Sequence, residues 1–260
     1  MQVEMTHHAA LVVERQITKL DADESEPHRH PIGQFVLVKK GMLQGSTADQ
    51  RWLLKAGMAV WIPPQTLHAG AADTQVDLTV LYLGAERSRD FSPQLKLIDA
   101  SSLMIALCER LAEDNVRPLS DAQRNCIVEL LFEDISAIPA SDMVLPLPSD
   151  LRLKRVTDQL IARPGMRKSL AEWGGEVGAT ERTLTRLFRR QTGLCYTQWH
   201  NRLLLVEAYR GLMVEHTNER VAQHLGFASS DSFGHWFRRV TGSSPGKVRS
   251  TLQGSAEHLA

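Results

Sequence analysis

The sequence predicts an α+β protein of two domains, an N-terminal β-barrel carrying two helices and a C-terminal domain that is all helix. Three observations support this prediction. Short strand-like runs fill the first 83 residues, helical periodicity replaces them after residue 100, and the two parts of the chain differ in charge. A chain of 260 residues is long enough to bury two separate hydrophobic cores.

The barrel prediction rests on five short runs rich in β-branched, aromatic and other apolar residues, with glycine or proline between most of them. The runs are residues 11–13, 34–38, 51–54, 58–62 and 76–83. Short strands at this spacing are typical of a barrel or a sandwich. We assign residues 1–100 to this barrel.

Two helices are predicted after the barrel, within residues 101–138. Apolar residues recur there at helical spacing in two groups, Leu103, Ala106, Leu107 and Leu111, then Ile127, Leu130, Leu131 and Ile135. Ser120 and Gln123 predict a capping box at the start of the second helix. These helices would either pair two copies of the chain or pack on the barrel, and the sequence leaves both open.

The domain boundary is predicted in residues 139–149, a linker in which three prolines exclude one continuous helix. Residues 150–251 then form the helical domain, which begins with a helix over 151–162. Residues 151–251 hold 17 Lys and Arg against 8 Asp and Glu, whereas residues 1–150 hold 13 against 21. A basic domain beside an acidic one is typical of a protein that docks on phosphates, although charge alone also fits a solvated surface.

The composition indicates a cytoplasmic protein. No apolar run approaches the roughly twenty residues of a membrane helix, and the start of the chain lacks the basic and apolar pattern of a secretory signal. Cys108, Cys126 and Cys195 are scattered, which fits neither a disulfide framework nor a structural zinc site. We expect them to be buried thiols.

A 25-residue helical unit occurs twice in the basic domain, at residues 169–193 and 218–242. In each copy a short helix carries a small residue at a close crossing, a glycine makes a left-handed turn, and a hydroxyl residue caps a second helix. These positions are Gly174, Gly178 and Thr180 in the first copy and Ala222, Gly226 and Ser229 in the second. Such a unit is a helix-turn-helix, whose second helix enters the major groove of DNA.

Helical rotation predicts which side chains of each second helix face outward. With Leu184, Leu187 and Phe188 buried in one copy and Phe233, Trp236 and Phe237 in the other, the outward residues are Arg182, Thr185, Arg186 and Arg189, then Asp231, Gly234, His235 and Arg238. Arg182 and Arg186 suit the O6 and N7 atoms of guanine. Phosphate contacts are expected from Arg189, Arg190, Arg238 and Arg239.

The alternative is that these arginines are only solvated surface charges. The repetition of the unit, with matched caps and basic pairs, favours DNA binding instead. A connecting helix over 197–215 would fix the separation of the two second helices. A separation of about 34 Å would place them in successive major grooves.

Residues 150–250 resemble the DNA-binding domain of the AraC/XylS family of bacterial regulators. The resemblance is carried by Gly226-Phe227, Phe233, Phe237-Arg238-Arg239 and Gly242-Ser243-Ser244-Pro245. It implies base contacts from Arg182, Thr185 and Arg186 in the first unit and from Ser230, Asp231, Gly234 and His235 in the second. It also implies activation through RNA polymerase and a homodimer formed by the N-terminal part.

The chain departs from the family pattern in three places. Gly174-Gly175 stand where the family has helix formers, Asn218 replaces an anchoring isoleucine, and Leu204 replaces an arginine. Each glycine costs about 1 kcal/mol inside a helix. The departures therefore bear on local stability rather than on the fold.

A separate polar group lies in the predicted barrel and consists of His28, His30, Gln34 and His68. Histidines two residues apart on one strand face the same side, and a third from a later strand would complete a three-nitrogen site. The group resembles the two cupin motifs, with Gln34 where the metal-binding pattern has glutamate. It would bind a divalent metal such as zinc, nickel, copper or iron, or a small organic effector, or nothing at all, and the sequence leaves these open.

These observations predict a sequence-specific regulator of the promoters of neighbouring genes, with no catalytic activity. A small-molecule effector in the barrel would change how the basic domain engages double-stranded DNA. The main alternative is a metal-dependent cupin enzyme with an accessory DNA-binding domain, which leaves the basic repeat without a role. A non-specific architectural DNA binder would leave the barrel unexplained.

Overall fold

The computed structural model describes residues 11–18, 26–89, 91–114, 116–141, 143–215 and 217–254. The chain forms two compact units. The first holds the described residues up to Thr47 and those from Leu54 to Ser141. The second holds Ala48–Leu53 and the described residues from Met143 onward.

The described strands are short, and they pair with one another in antiparallel orientation. Their bounds are β1 Leu11–Thr18, β2 Gly33–Lys40, β3 Met42–Ser46, β4 Gln50–Lys55, β5 Met58–Ile62, β6 Ala69–Ala71, β7 Val76–Leu83, β8 Lys96–Asp99 and β9 Val144–Pro146. Five of them form a sheet in the order β1-β7-β2-β5-β8. In the first unit β3 also pairs with β6, and in the second unit β4 pairs with β9.

Ten helices complete the described part of the chain. Their bounds are α1 Ala85–Arg89, α2 Ser102–Ala112, α3 Asp121–Ala137, α4 Leu151–Ala162, α5 Leu170–Val177, α6 Glu181–Thr192, α7 Tyr196–Val214, α8 Asn218–His224, α9 Ser230–Thr241 and α10 Pro245–Gly254. None of the helices described is long and apolar enough to cross a membrane.

The core of the first unit lies between the five-stranded sheet and helices α2 and α3. Alternate residues of β2, Phe35 and Leu37, pack in one cluster with Met104 of α2 and Leu131 of α3. Because side chains alternate along a strand, Gln34 and the other even-numbered residues of β2 point to the opposite face of the sheet. That opposite face carries the histidine site described below.

The predicted order of a strand-rich domain before a helical domain is confirmed. The five predicted strand runs correspond to β1, β2, β4, β5 and β7, and the capping box of Ser120 and Gln123 opens α3. The strands do not close into one barrel in the described residues; they form sheets with open edges. Strands β3, β6, β8 and β9 were not predicted. Strands β6, β8 and β9 have only three or four residues, too few to show alternation, and in β3 two apolar residues are followed by Gln-Gly-Ser.

The core of the second unit joins α4 to the first helical repeat and to α7. Leu153 and Leu160 of α4, Trp173 of α5, Phe188 of α6 and Trp199 of α7 are all fully buried in it. The predicted helices at 151–162 and 197–215 are α4 and α7, within one residue at each end. The helical domain therefore has one continuous core around its first repeat.

Candidate nucleic-acid interface and histidine site

The first repeat folds as a tight helical pair because its caps satisfy the free backbone groups at the helix ends. Ser169 and Glu172 form a capping box on α5, and Gly178 ends that helix with a φ of 65°. The Thr180 hydroxyl accepts a hydrogen bond from the Thr183 N–H and so begins α6. A Cβ atom on Gly174 would lie 2.3 Å from the Ala179 carbonyl oxygen, so this crossing requires glycine.

Helix α6 buries one side and exposes a basic one. Leu184, Leu187 and Phe188 are buried. The residues on the exposed side are Arg182, Thr185, Arg186, Arg189 and Arg190, and all five line one open surface depression. Within the described residues, no ion pair holds any of these four guanidinium groups. The side is therefore free to approach phosphates and base edges.

The second repeat has the same construction and a different surface. Gly226 has a φ of 69°, and Ser229 caps α9 through the Ser232 N–H. Phe233, Trp236 and Phe237 are buried, whereas Asp231, His235, Arg238 and Arg239 are exposed and Ser230 and Gly234 are half-buried. The first exposed turn of α9 carries Asp231 at the position that Arg182 occupies in α6, so the two recognition helices differ in charge.

A short segment after α4 ties the second repeat to the rest of the helical unit. The buried His200 of α7 donates its Nε2–H to the Pro164 carbonyl at 2.8 Å, and burial lowers the pKa of this imidazole. The Arg167 guanidinium donates to the Leu225 carbonyl at 3.0 Å and lies over the Phe227 ring. These contacts fix the turn of the second repeat against the start of the domain. No local sequence pattern predicts these contacts.

The end of the predicted linker is an ordered strand in the second unit. The Trp199 Nε1–H donates to the Pro146 carbonyl at 2.7 Å, and the Arg202 guanidinium donates to the Val144 carbonyl at 3.1 Å. The Gln191 side-chain oxygen accepts from the backbone N–H groups of both Ser149 and Asp150 at 3.0 Å. Residues 144–150 are thus held on the helical unit by three of its side chains.

The three barrel histidines come together, although the predicted strand placement is wrong. His28 and His68 form an isolated antiparallel bridge, with both N–H···O distances at 2.9 Å, and His30 lies outside any strand. The ring centroids of His28 and His68 are 4.5 Å apart, and those of His30 and His68 are 5.1 Å apart. His68 is buried, His30 is half-buried and His28 is exposed.

Backbone carbonyls determine which nitrogen of each ring carries a proton. The Nδ1 atoms of His28, His30 and His68 lie 3.1, 2.7 and 2.9 Å from carbonyl oxygens of residues 26, 32 and 66. A carbonyl oxygen can only accept, so each Nδ1 must donate its hydrogen. Burial, together with the nearby His28 and His30, lowers the pKa of His68 to about 4. At neutral pH the His68 Nε2 is therefore a bare acceptor.

Gln34 lies at the centre of the cluster. Its side-chain oxygen is 3.2 Å from the Nε2 atoms of both His30 and His68. Its neighbour across the sheet is Tyr82, whose ring centroid is 6.3 Å from that of His30. Sequence reasoning missed Tyr82, because only the register of β2 with β7 brings it beside Gln34.

The expectation of three buried thiols is correct only for Cys108. Cys126 is exposed and Cys195 is half-buried. Burial raises the pKa of the Cys108 thiol to about 12, with a smaller contribution from Glu109. The buried thiol packs in the core of the first unit as a small apolar group.

A helical unit with two capped recognition helices, one of them strongly basic, together with a sheet unit that holds a polar cluster, defines a DNA-binding regulator with a ligand-binding domain. Comparison with known proteins agrees with this class. The family model of the AraC-like ligand binding domain matches residues 11–132, and that of a helix-turn-helix domain matches residues 173–251. The chain belongs to the AraC family of DNA-binding transcriptional regulators.

Two curated relatives and one solved structure show how far the similarity extends. The HTH-type transcriptional regulator NimR of Escherichia coli K12 is 27% identical over 251 residues, which cover 95% of this chain and 90% of NimR. The HTH-type transcriptional activator RhaR of Klebsiella pneumoniae is 28% identical over 256 residues, covering 88% of this chain and 89% of RhaR. ToxT of Vibrio cholerae O395 aligns with a TM-score of 0.40 at 12% identity, over 94% of this chain and 99% of ToxT.

Proposed function

We propose that this regulator reads DNA mainly with α6 and uses α9 chiefly to position itself on the backbone. The observation that carries the proposal is the exposed side of α6, where Arg182 and Arg186 lie one turn apart among further arginines. Forked guanidinium donors at this spacing suit adjacent guanines in the major groove. Thr185 lies between them and adds a hydroxyl group for a base edge.

The remaining cationic residues of the two helices take the phosphates. Arg189 and Arg190 follow the base-reading turn of α6, and Arg238 and Arg239 occupy the same place in α9. On α9 the base-facing positions hold Ser230, Asp231, Gly234 and His235. This set offers one acid and one imidazole in place of two guanidiniums, so it discriminates less strongly between guanine and other bases.

Footprinting of the full chain on the regions upstream of its own gene and its neighbours tests this proposal. We expect a protected site, and Arg186→Ala should weaken binding to that site far more than Arg155→Ala. Arg155 is the matched control because it is an exposed arginine in α4, outside both repeats. Equal losses in the two variants would contradict the assignment of α6 as the reading helix.

We propose that the first unit controls this binding by capturing a small effector at His28, His30, Gln34 and His68. An effector changes DNA occupancy only if it binds one arrangement of the chain better than another. The backbone passes between the two units at three points, after residues 47, 53 and 142, which gives effector binding several covalent routes to the helical unit.

Action on promoters implies two protein partners, which we also propose. One is RNA polymerase, as implied by the resemblance to bacterial activators, and the other is a second copy of the chain. Leu103 of α2 and Leu130 of α3 are about half exposed, at 49% and 51%, and offer apolar area for a homodimer. Sedimentation of the purified protein tests the dimer, with Leu130→Glu expected to shift it toward monomer.

We propose that the histidine cluster senses rather than catalyses, and that the protein acts in the cytoplasm, where its DNA is. The competing candidate is a metal-dependent cupin enzyme, which the same cluster would favour. If the cluster is the effector site, His30→Gln should alter how DNA occupancy responds to the effector. The DNA affinity measured without effector should stay the same. Turnover of a substrate by the metal-supplied protein would favour the enzyme.

A further inference from the structure

Gly234 lies at the centre of the outward side of α9, the second helix of the second repeat. Asp231, Gly234, His235 and Arg238 share this side at helical spacing. Glycine is the least favourable residue inside a helix apart from proline, so its presence there calls for a physical reason. The usual reasons are a left-handed turn or a close approach of the backbone to another group.

Nothing in the described part of the chain requires a glycine at this position. Gly226 and Gly242 have left-handed φ angles, and Gly234 does not. A Cβ atom on Gly234 would meet no neighbouring atom within 4 Å, whereas one on Gly174 would lie 2.3 Å from the Ala179 carbonyl oxygen. The fold has room for a side chain at Gly234. The reason for the glycine therefore lies in what this side of α9 binds, which in a helix-turn-helix is DNA.

The missing side chain leaves a notch in the DNA-facing surface of α9, formed by Gly234 between Asp231 and His235. In α6 the equivalent position is filled by Thr185. Glycine commonly serves where a backbone must come close to a ligand. A base-pair edge that enters the notch lies within reach of the exposed side chains beside it.

Asp231 brings a negative charge to this side of the helix. Its side chain is exposed and has no ion-pair or hydrogen-bond partner among the described residues. Ser229 already caps α9 through the Ser232 N–H, so the start of the helix does not depend on this carboxylate. Because phosphates repel a carboxylate, Asp231 weakens binding to DNA of arbitrary sequence. It favours binding only where a base offers a hydrogen-bond donor.

Cytosine is the base whose major-groove edge suits a carboxylate best. Guanine presents the acceptors O6 and N7, and thymine presents the acceptor O4 and a methyl group. Adenine presents its N6 donor beside the acceptor N7, whereas cytosine presents the N4 amino donor alone. A carboxylate at the notch therefore prefers cytosine and disfavours guanine.

We propose that α9 seats Gly234 against a base-pair edge, where Asp231 accepts a hydrogen bond from the N4 amino group of a cytosine. Asp231 is then a specificity-determining residue, and Gly234 is a positioning residue that sets how closely the helix approaches. The inference rests on the proposed function, which places both second helices on DNA. It adds one base contact to the phosphate contacts of α9.

Substitution of Gly234 by alanine tests the close approach. Alanine is the better helix former and has open space here, so Gly234→Ala in the full chain should raise the midpoint of thermal unfolding. The added methyl group holds the helix away from the bases. Fluorescence anisotropy should therefore show binding to the footprinted site weakened by about tenfold or more.

Gly175→Ala in α5 is the matched control for this experiment. A Cβ atom on Gly175 also meets nothing within 4 Å, and the residue lies inside the first helix of the first repeat. This variant should gain stability in the same way and keep its affinity for the site. The comparison separates the effect of a better helix former from the effect of a methyl group at the DNA-facing notch.

Base substitutions within the footprinted site test the assignment of Asp231. Outside the base pair that responds to Arg186→Ala, the unsubstituted protein should prefer cytosine at one position by about tenfold, and Asp231→Ala should lose that preference. Asp231→Asn should prefer adenine there instead, because a carboxamide bonds to N6 and N7 together. Asp231→Ala should also bind DNA of random sequence more tightly, since a charge repelled by the phosphates is gone.

Glu219→Ala is the control for the loss of an acid. Glu219 is exposed and occupies the same place in the first turn of α8, the first helix of the same repeat. Its removal changes the charge of the repeat by the same amount. The preference for cytosine should remain in this variant.

Three results would overturn the inference. They are a lowered unfolding midpoint for Gly234→Ala, an unchanged DNA affinity for that variant, and a cytosine preference that is absent or survives Asp231→Ala. If one of these occurs while the footprint and its dependence on Arg186 persist, α9 only positions the protein and the proposed function stands. Failure of the unsubstituted protein to give a footprint would contradict the proposed function itself, and the inference with it.

Discussion

Gly165 and Gly226 meet backbone to backbone, one in the turn after α4 and the other in the turn of the second helix-turn-helix. A Cβ atom on Gly165 would lie 2.7 Å from the Gly226 nitrogen, and one on Gly226 would lie 2.3 Å from the Gly165 carbonyl oxygen. Gly226 also has a left-handed φ of 69°, which a side chain would strain. This contact, together with those of Arg167 and His200, holds the second repeat in a fixed position within the helical unit.

Gly165→Ala is expected to loosen that contact. The added methyl group meets backbone atoms, which cannot move aside as a flexible side chain can, so we expect a loss of about 1–3 kcal/mol in the free energy of unfolding. Urea denaturation followed by circular dichroism measures it. DNA affinity should fall as well, because the second recognition helix loses its fixed position.

The matched control is Gly175→Ala in α5. A Cβ atom there meets nothing within 4 Å, and alanine is favoured over glycine inside a helix by about 1 kcal/mol. The same urea experiment should therefore show a gain in stability. If Gly165→Ala and Gly175→Ala behaved alike, the contact between the two turns would have no energetic role.

Asn218→Ile is expected to stabilise the second repeat. The Asn218 side-chain oxygen is buried and has no hydrogen-bond partner among the described residues, and an unpaired buried acceptor costs about 1–3 kcal/mol. An apolar side chain removes that cost. Thermal unfolding should shift upward for Asn218→Ile and not for Asn201→Ile, which changes an exposed asparagine of α7. An unchanged or lowered midpoint for Asn218→Ile would show that the oxygen is satisfied in solution.

The cysteines should differ sharply in reactivity. Burial holds the pKa of Cys108 at about 12, so its thiolate is scarce at pH 8, whereas Cys126 is exposed on α3. A thiol reagent such as Ellman's reagent should label the native protein quickly at Cys126, and Cys126→Ser should remove the fast phase. Rapid labelling that survives this substitution and maps to Cys108 would contradict the packing of the first unit.

Asp150 should make stability depend on pH at the start of α4. The Arg152 guanidinium, aided by backbone N–H groups, lowers the pKa of this carboxyl to about 2, against about 4 in an unfolded chain. Its contribution is therefore complete above pH 4 and is lost as the pH falls toward 2. Unfolding curves across this window should be less pH-dependent for Asp150→Asn, which still caps the helix. If stability depended on pH equally in Asp150→Asn and in the unsubstituted protein, the folded chain would not stabilise the Asp150 carboxylate.

The helical repeats could be predicted almost completely from the sequence, because their determinants are local. Caps such as Ser169 with Glu172, and the left-handed Gly178, are signals within a few residues of each helix end. The rotation of α6 followed from the buried triplet alone. In contrast, the contact of Gly165 with Gly226 joins residues 61 positions apart and has no local signature.

The histidine cluster could be predicted only in part. The spacing of His28, His30 and Gln34 with a later His68 indicated a shared site, which the fold assembles. The predicted strand was wrong because a bridge of one residue pair, His28 with His68, replaces it. Short strands such as β6, and the docking of β9 on Trp199 and Arg202, depend on partners far along the chain and are invisible to local patterns.

The most direct test of the central claim is the sequence preference of the full chain, measured by selecting binding sites from a randomised duplex library. We predict that the selected sequences share a defined site, and that Arg186→Ala loses about 1–3 kcal/mol of discrimination at one base pair of it. Arg190→Ala should weaken binding to all sequences alike. It should also reduce the salt dependence of binding by the amount expected for about one phosphate contact. Selection of no common sequence, or a preference that survives alanine at both Arg182 and Arg186, would contradict the claim that α6 reads the DNA.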